Sequence, residues 1–279
     1  MSFCVGISST FIEEAALDGV KTIIDNVRLR GGEVPFILST REKGDNPKTD
    51  EILAELEQGK IPLIDVSAAR HRKSGEKDWR ETYGREVLGK LTPYLPVDFV
   101  FLFGDMTIWP KNMCYKLNGW NLHPALPDGP RGEWYNVNAE IIERGKREHG
   151  VMIHQVVPEL DQGPVITYCR FPLDDLPWNT LPKGPNQLAE LIKEQRRLKE
   201  NPNHPLFTEI REEGSRREFH LIELTLAAFA EGKIRIDGKH VLDEFGQELE
   251  GGYDLTYEIE EIVRPISEGQ SPARKEERF

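Results

Sequence analysis

The chain has 279 residues, 38% hydrophobic and 30% charged, which suits a soluble globular protein of one large α/β domain or two smaller ones, with enough length to bury a core. Its net charge of −12 sets up a field that repels nucleic-acid phosphate, so tRNA or DNA is disfavoured as the principal partner, and no run approaches the ~18 apolar residues that a membrane span needs. Cys4, Cys114 and Cys169 are far apart and form no C-x-x-C pair, which reads as free thiols in a reducing compartment; with no signal-peptide pattern at the N-terminus, the expected location is the cytoplasm.

In chain order, Ser2–Ile7 is an apolar run that predicts a first strand, stopped by Ser8-Ser9-Thr10. From Glu13 to Leu29 the apolar residues Ala16, Val20, Ile23, Ile24 and Val27 recur at helical spacing, and Gly31-Gly32 ends that helix. Strands follow at Val34–Leu38 and Ile61–Ile64, with a helix at Asp50–Leu56 between them. Trp79–Leu91 reads as helix, and Asp98–Phe103 as a strand buried on both faces. A helical turn near Pro110–Tyr115 leads into a strand over Gly119–His123. This alternation predicts an α/β fold, a Rossmann-like three-layer sandwich with a mostly parallel central sheet, in which ligands gather beyond the carboxyl ends of the strands.

After residue 124 the spacing predicts a helix over Asn136–Glu148, two longer strands over Val151–Val157 and Val165–Phe171, and a proline-rich loop over 172–184. A charged helix over Gln187–Glu200, a longer one over Glu213–Glu231, and a small ribbon from Lys233–Ile236 and His240–Leu242 complete the elements. The polar tail from Ser267 is expected to be loose.

The chemistry concentrates between Asn121 and Pro164. Asn121-Leu-His123-Pro124 closes one strand, with Pro124 holding the His123 backbone extended, and Glu159-Leu-Asp161-Gln-Gly163-Pro164 forms a turn between the two later strands. Each part alone has a structural explanation: His123 could cap a loop, and Asp is common in tight turns. Together they offer an amide and an imidazole to stabilise an oxyanion and a carboxylate to accept a proton, as acyl-like transfer to an amine requires. A neighbouring carboxylate is expected to raise the pKa of His123 and keep it charged. His154, inside an apolar strand, reads as a core histidine or a pocket wall.

The segment from His149 to Ile166, preceded by Asn-Leu-His-Pro, resembles the glycinamide ribonucleotide formyltransferase family, and the likeness extends over most of the chain. The resemblance implies a single formyltransferase domain over 1–266, with 1–124 the nucleotide- and phosphate-binding half and 125–266 the folate-binding and C-terminal half, followed by a flexible tail over 267–279. It implies 10-formyltetrahydrofolate as co-substrate without a metal, Asn121 and His123 as oxyanion donors and Asp161 as proton acceptor. Met106, Thr107, Ile108, Trp109, Val157 and Arg80 would bind the folate; Asp105 and Trp109 depart from the family's pattern in that segment. Ser8, Ser9, Thr10, Pro124 and Glu218 would bind the acceptor, although Arg80 and Glu218 could equally be ordinary salt-bridge partners. Only small-molecule substrates are implied, with no nucleic acid or membrane, and a homodimer is expected because exposed edges of such sheets often pair.

One departure bears on the acceptor. The family's loop after its first strand is glycine-rich and holds a substrate phosphate through backbone N–H groups; here it reads Ser8-Ser9-Thr10-Phe11-Ile12, without glycine. Material is also added around Gly129–Tyr135 and Pro172–Pro205. Transfer to another amine, such as an amino sugar, is therefore the nearest alternative, followed by formyltetrahydrofolate hydrolysis. The hydrolase family carries an extra N-terminal module, whereas this chain enters its first strand at residue 2. Methionyl-tRNA formyltransferase is disfavoured by the acidic charge, and a non-catalytic folate-binding regulator by the presence of all three polar groups.

Overall fold

The computed structural model describes residues 3–199 and 201–263. The expected loose tail from residue 267, Ser2 at the start of the first strand and Glu200 at the end of a helix lie outside the described residues. The first half runs β1 (Val5–Ser9), α1 (Glu14–Leu29), β2 (Ile37–Ser39), α2 (Pro47–Leu56), β3 (Leu63–Asp65), α3 (Ala68–Lys73), α4 (Trp79–Leu91), β4 (Phe99–Leu102), α5 (Lys111–Leu117) and β5 (Gly119–His123). The second half runs α6 (Trp134–Glu143), β6 (Glu148–Gln155), β7 (Val165–Pro172), α7 (Pro185–Leu198), α8 (Pro205–Ala230), β8 (Ile234–Asp237), β9 (His240–Asp243), β10 (Tyr253–Asp254) and α9 (Thr256–Val263).

Eight strands form one sheet in the order β10-β7-β6-β5-β4-β1-β2-β3. All neighbours pair in parallel except β6, which is antiparallel to both β5 and β7. The mostly parallel sheet expected from the alternating elements is therefore present. Its first strands read as continuous apolar runs because both faces are covered. On one face Val5, Ile7, Phe99, Phe101 and Trp120 pack with α1 and α8; on the other Val100 and Leu102 pack with Tyr83 and Val87 of α4 and Met113 of α5. Phe99 and Trp120 stack with ring centroids 3.6 Å apart, and Phe229 of α8 meets both edge-on at 5.1 and 5.3 Å.

Several boundaries differ from those expected, each for a local reason. Helix α2 starts earlier because Asn46 caps it, accepting from Lys48 and Thr49 N–H, and Pro47 suits a first helical position. The expected helix over Asn136–Glu148 stops at Glu143, because Gly145 adopts φ +61° and Glu148 already belongs to β6. Helix α8 begins at Pro205, eight residues before the expected start, and its first turns bury Leu206, Phe207 and Ile210 in a third apolar cluster with α6 and α7. The short elements α3, β10 and α9 carry too little periodicity to be read from sequence.

The Phe99–Trp120–Phe229 cluster yields a stability prediction. Trp120 is fully buried, so Trp120→Ala should destabilise the protein by about 3–5 kcal/mol, seen as an earlier midpoint in urea unfolding with an unchanged slope. A loss under ~1 kcal/mol would show that the cluster is not a central support of the sheet.

Candidate active site

Reversal of chain direction at β6 assembles the site. β5 and β6 pair antiparallel with Asn121 opposite His154 and His123 opposite Met152, so alternate residues from the carboxyl end of β5 and from β6 share one face. After β6 the chain turns through Asp161, which adopts φ +50°, a left-handed conformation Asp tolerates. Gly163 follows; a Cβ there would lie 1.7 Å from the Gln155 carbonyl oxygen, so glycine is needed for the turn to lie against β6.

The turn delivers Asp161 between two imidazoles. Its Oδ2 lies 3.8 Å from His123 Nδ1 and its Oδ1 lies 3.6 Å from His154 Nε2, with all three side chains nearly buried. Asp161 Oδ2 also accepts a 2.8 Å hydrogen bond from the N–H of Gly132, whose φ of +92° favours glycine. Asn121 Nδ2 lies 3.3 Å from His154 Nε2. A carbonyl oxygen can only accept, so His154 Nδ1–H donates to Gln155 O at 3.0 Å and His123 Nε2–H donates to Pro130 O at 3.0 Å. In the neutral tautomer these bonds select, His123 Nδ1 turns a lone pair toward the Asp161 side of the site.

Burial works against ionisation of Asp161, but the neighbouring imidazoles of His154 and His123 and the Gly132 N–H together hold its carboxyl below the usual carboxylate value. For His123 the balance is reversed. Burial pushes its pKa down and outweighs the upward pull of Asp161 and Pro130 O, with His154 adding to the fall. This corrects the expectation that the carboxylate keeps His123 charged: the ring rests neutral because it is almost completely enclosed. Behind it, His149 is driven by burial down to about 3.

The remaining candidates distribute unevenly. Pro124 is half-buried directly after His123, and Val157 is half-buried after β6. Met106 and Ile108 are exposed apolar side chains on the loop after β4. Trp109 differs from the expected ligand role in its placement. It is 2% exposed within the cluster of α4 and α5, and its Nε1 donates to Asp105 Oδ2 at 3.0 Å. Thr107 is likewise tied back, its N–H and hydroxyl both donating to Asp105 Oδ1 at 2.9 and 2.6 Å. Arg80 is exposed, with its guanidinium 4.6 Å from the ring of Trp79. Glu218 is nearly buried on α8 and paired with Arg211.

The loop after β1 is turned inward. Ser8, Ser9 and Thr10 are buried. Ser8 donates to Asp105 Oδ2 at 2.7 Å, Ser9 Oγ accepts from Phe11 N–H at 3.3 Å, and Thr10 Oγ1 accepts from Met106 N–H at 2.8 Å and from the Thr40 hydroxyl at 3.0 Å. These hydroxyls serve the fold, in contrast to the open anion site expected from three hydroxyls ahead of a helix.

Three contributors were missed in the sequence. His154 was hidden by the apolar run around it, although its alternation with Met152 was a usable signal of a shared face with Asn121. Asp105 joins four donors of two loops, and Gly132 contacts Asp161 across 29 positions; neither pairing has a local sequence signal.

An amide, two imidazoles and a carboxylate at the carboxyl edge of a doubly wound sheet define an α/β protein equipped for oxyanion stabilisation and proton transfer. Residues 20–175 match the formyl transferase family, and the chain belongs to it. It is 36% identical over 98 residues to the phosphoribosylglycinamide formyltransferase of Escherichia coli (strain K12), covering 34% of this chain and 45% of that protein. It is 32% identical over 115 residues to the enzyme of the same name from Dictyostelium discoideum, covering 37% and 53%. These alignments thus span about half the length of the relatives. The structure of phosphoribosylglycinamide formyltransferase from Coxiella burnetii superposes with a TM-score of 0.60 at 19% identity, covering 91% of this chain and 99% of that one, which shows the shared fold.

The depressed pKa values set an acid sensitivity. Below pH 6.5 the unfolded chain binds protons that buried His123 and His149 refuse, so stability present above 6.5 is lost as pH falls toward about 3. Asp161 adds a loss in the same direction, fully present above 3.8 and lost as pH falls through its lower folded value. Thermal melting between pH 7 and pH 4 should show this fall, and His149→Leu should flatten it. An equally steep fall in that variant would place the sensitivity elsewhere.

Proposed function

We propose that this protein transfers the formyl group of 10-formyltetrahydrofolate to a primary amine, in the cytoplasm, with small molecules as its only substrates. The observation that carries this reading is the placement of Asp161 between His123 and His154, beside Asn121, at the open end of the sheet. The amine nitrogen attacks the formyl carbon, and the carbonyl oxygen becomes an oxyanion that the Asn121 amide can meet with an N–H. Neutral His123 is made more basic by Asp161, so it can take up a proton from solvent at Nδ1 and present it to the developing oxyanion. Asp161 accepts the proton that the attacking nitrogen loses, and N10 of the folate leaves with a proton in exchange; the products are the formamide and tetrahydrofolate. Met106 and Ile108, with Val157 and Arg80, are assigned to the folate, for which a flat ring system fits the exposed apolar pair.

Glycinamide ribonucleotide is the first acceptor to assay, since the names of the relatives supply it. Pro124 and Glu218, next to Phe219 on α8, are assigned to the acceptor. A second reading, transfer to a different amine, is favoured by the inward-turned hydroxyls of Ser8, Ser9 and Thr10. The sheet edges β3 and β10 support a homodimer as part of the same proposal.

Mixing the protein with 10-formyltetrahydrofolate and an amine acceptor should release tetrahydrofolate only when the acceptor is present. His123→Ala and Asp161→Asn should each lower kcat by roughly 10²–10⁴-fold with folate binding largely retained. Release independent of acceptor would assign hydrolysis instead, and full activity in His123→Ala would remove that residue from the mechanism.

A further inference from the structure

We propose that the acceptor amine is recognised without a phosphate, and that Phe11, Glu13 and Asp105 set this preference for a neutral or cationic body. The inference rests on the formyl-transfer reading and names its substrate class. In an open α/β sheet the ligand crevice lies where the strand order reverses. Here β1 stands between β4 and β2, so the crevice is floored by the segment after β1 and by Phe103, Gly104 and Asp105 after β4, one strand from His123.

A phosphate held at such a place needs open backbone N–H groups and a positive helix end that it can approach closely. In this loop the Thr10 and Phe11 N–H groups are taken up within the fold instead. Phe11 is fully buried at φ +51°; its N–H donates to Ser9 Oγ and its carbonyl oxygen accepts from the Thr49 hydroxyl at 2.8 Å. The Thr10 N–H donates to Gly104 O at 3.2 Å. The positive end of α1 is flanked by its own carboxylates, Glu13 at the cap and Glu14 in the first turn, both exposed. Asp105 adds a third from the β4 side, held by Ser8. Lys48, beside this helix end, lies 3.7 Å from Glu14 and 3.3 Å from Glu51. A phosphate dianion would enter a field of like charge.

The α8 side carries the complementary character. Phe219, 37% exposed and next to Glu218, stacks on Phe103 at 6.0 Å. An aromatic surface beside carboxylates receives an amine with an apolar or cationic body and gives a phosphate nothing to bind.

The test uses two acceptors with the same amine, glycinamide ribonucleotide and its dephosphorylated ribonucleoside, with the full chain and 10-formyltetrahydrofolate. The ribonucleoside should be formylated with a kcat/KM at least equal to that of the ribonucleotide. A Glu13→Gln, Glu14→Gln variant should move the ratio several-fold toward the ribonucleotide. A preference for the ribonucleotide of ~100-fold or more, as a phosphate held by charge-assisted hydrogen bonds gives, would overturn the inference. Inorganic phosphate provides a readout independent of turnover: its phosphorus resonance should stay unbroadened in the presence of protein. Saturable broadening that competes with acceptor overturns the inference as well. Tetrahydrofolate release without any acceptor would instead sink the transfer reading, and the phosphate titration would still decide whether this loop takes phosphate.

Discussion

A largely buried carboxylate must be satisfied, and around Asp161 that requirement organises the site. One oxygen takes the Gly132 N–H, and both oxygens face imidazoles. The Gly132 contact ties the 124–134 loop down on the catalytic face, and Pro130 in the same loop receives the proton side of His123. The loop therefore selects the tautomer of His123 while the carboxylate sets its basicity. Neither could be changed alone, because the ring is oriented by one partner and polarised by the other.

This arrangement depends on the sheet switching direction. Antiparallel pairing sets Asn121 opposite His154, and the segment that leaves β6 beside Gly119 folds back along this face to bring Asp161 to His123. Gly163 then allows the turn to lie against Gln155, and the left-handed Asp161 aims its side chain inward.

Much of this was legible in the sequence, and the limits were physical. The continuous apolar runs of β1 and β4 and the helical spacing of α1 were clear because both faces of the parallel sheet are buried. Asn121, His123 and Asp161 were legible because Pro124, Gly163 and Pro164 marked the strand ends that carry them. The resting charge of His123 was not, since it depends on an enclosure built from distant segments. Trp109 and Thr107 were expected at the folate from the family resemblance, yet Asp105, four residues or fewer away, folds both back onto itself. That loop is arranged by a carboxylate whose Ser8 partner lies 97 positions earlier.

Asp105 and Phe11 also explain why reaction type and acceptor separate as questions. On the proposed reading, the oxyanion and proton chemistry is built on β5, β6 and the turn after them, while acceptor preference is built on the ends of β1 and β4. Phe11 is buried in the apolar core beneath this loop, and the left-handed backbone it adopts is held by Thr49 and Ser9. Under the proposal, a carboxylate-rimmed loop beside the Asn121, His123 and Asp161 cluster is the physical basis for retaining the family's chemistry while admitting a different class of amine.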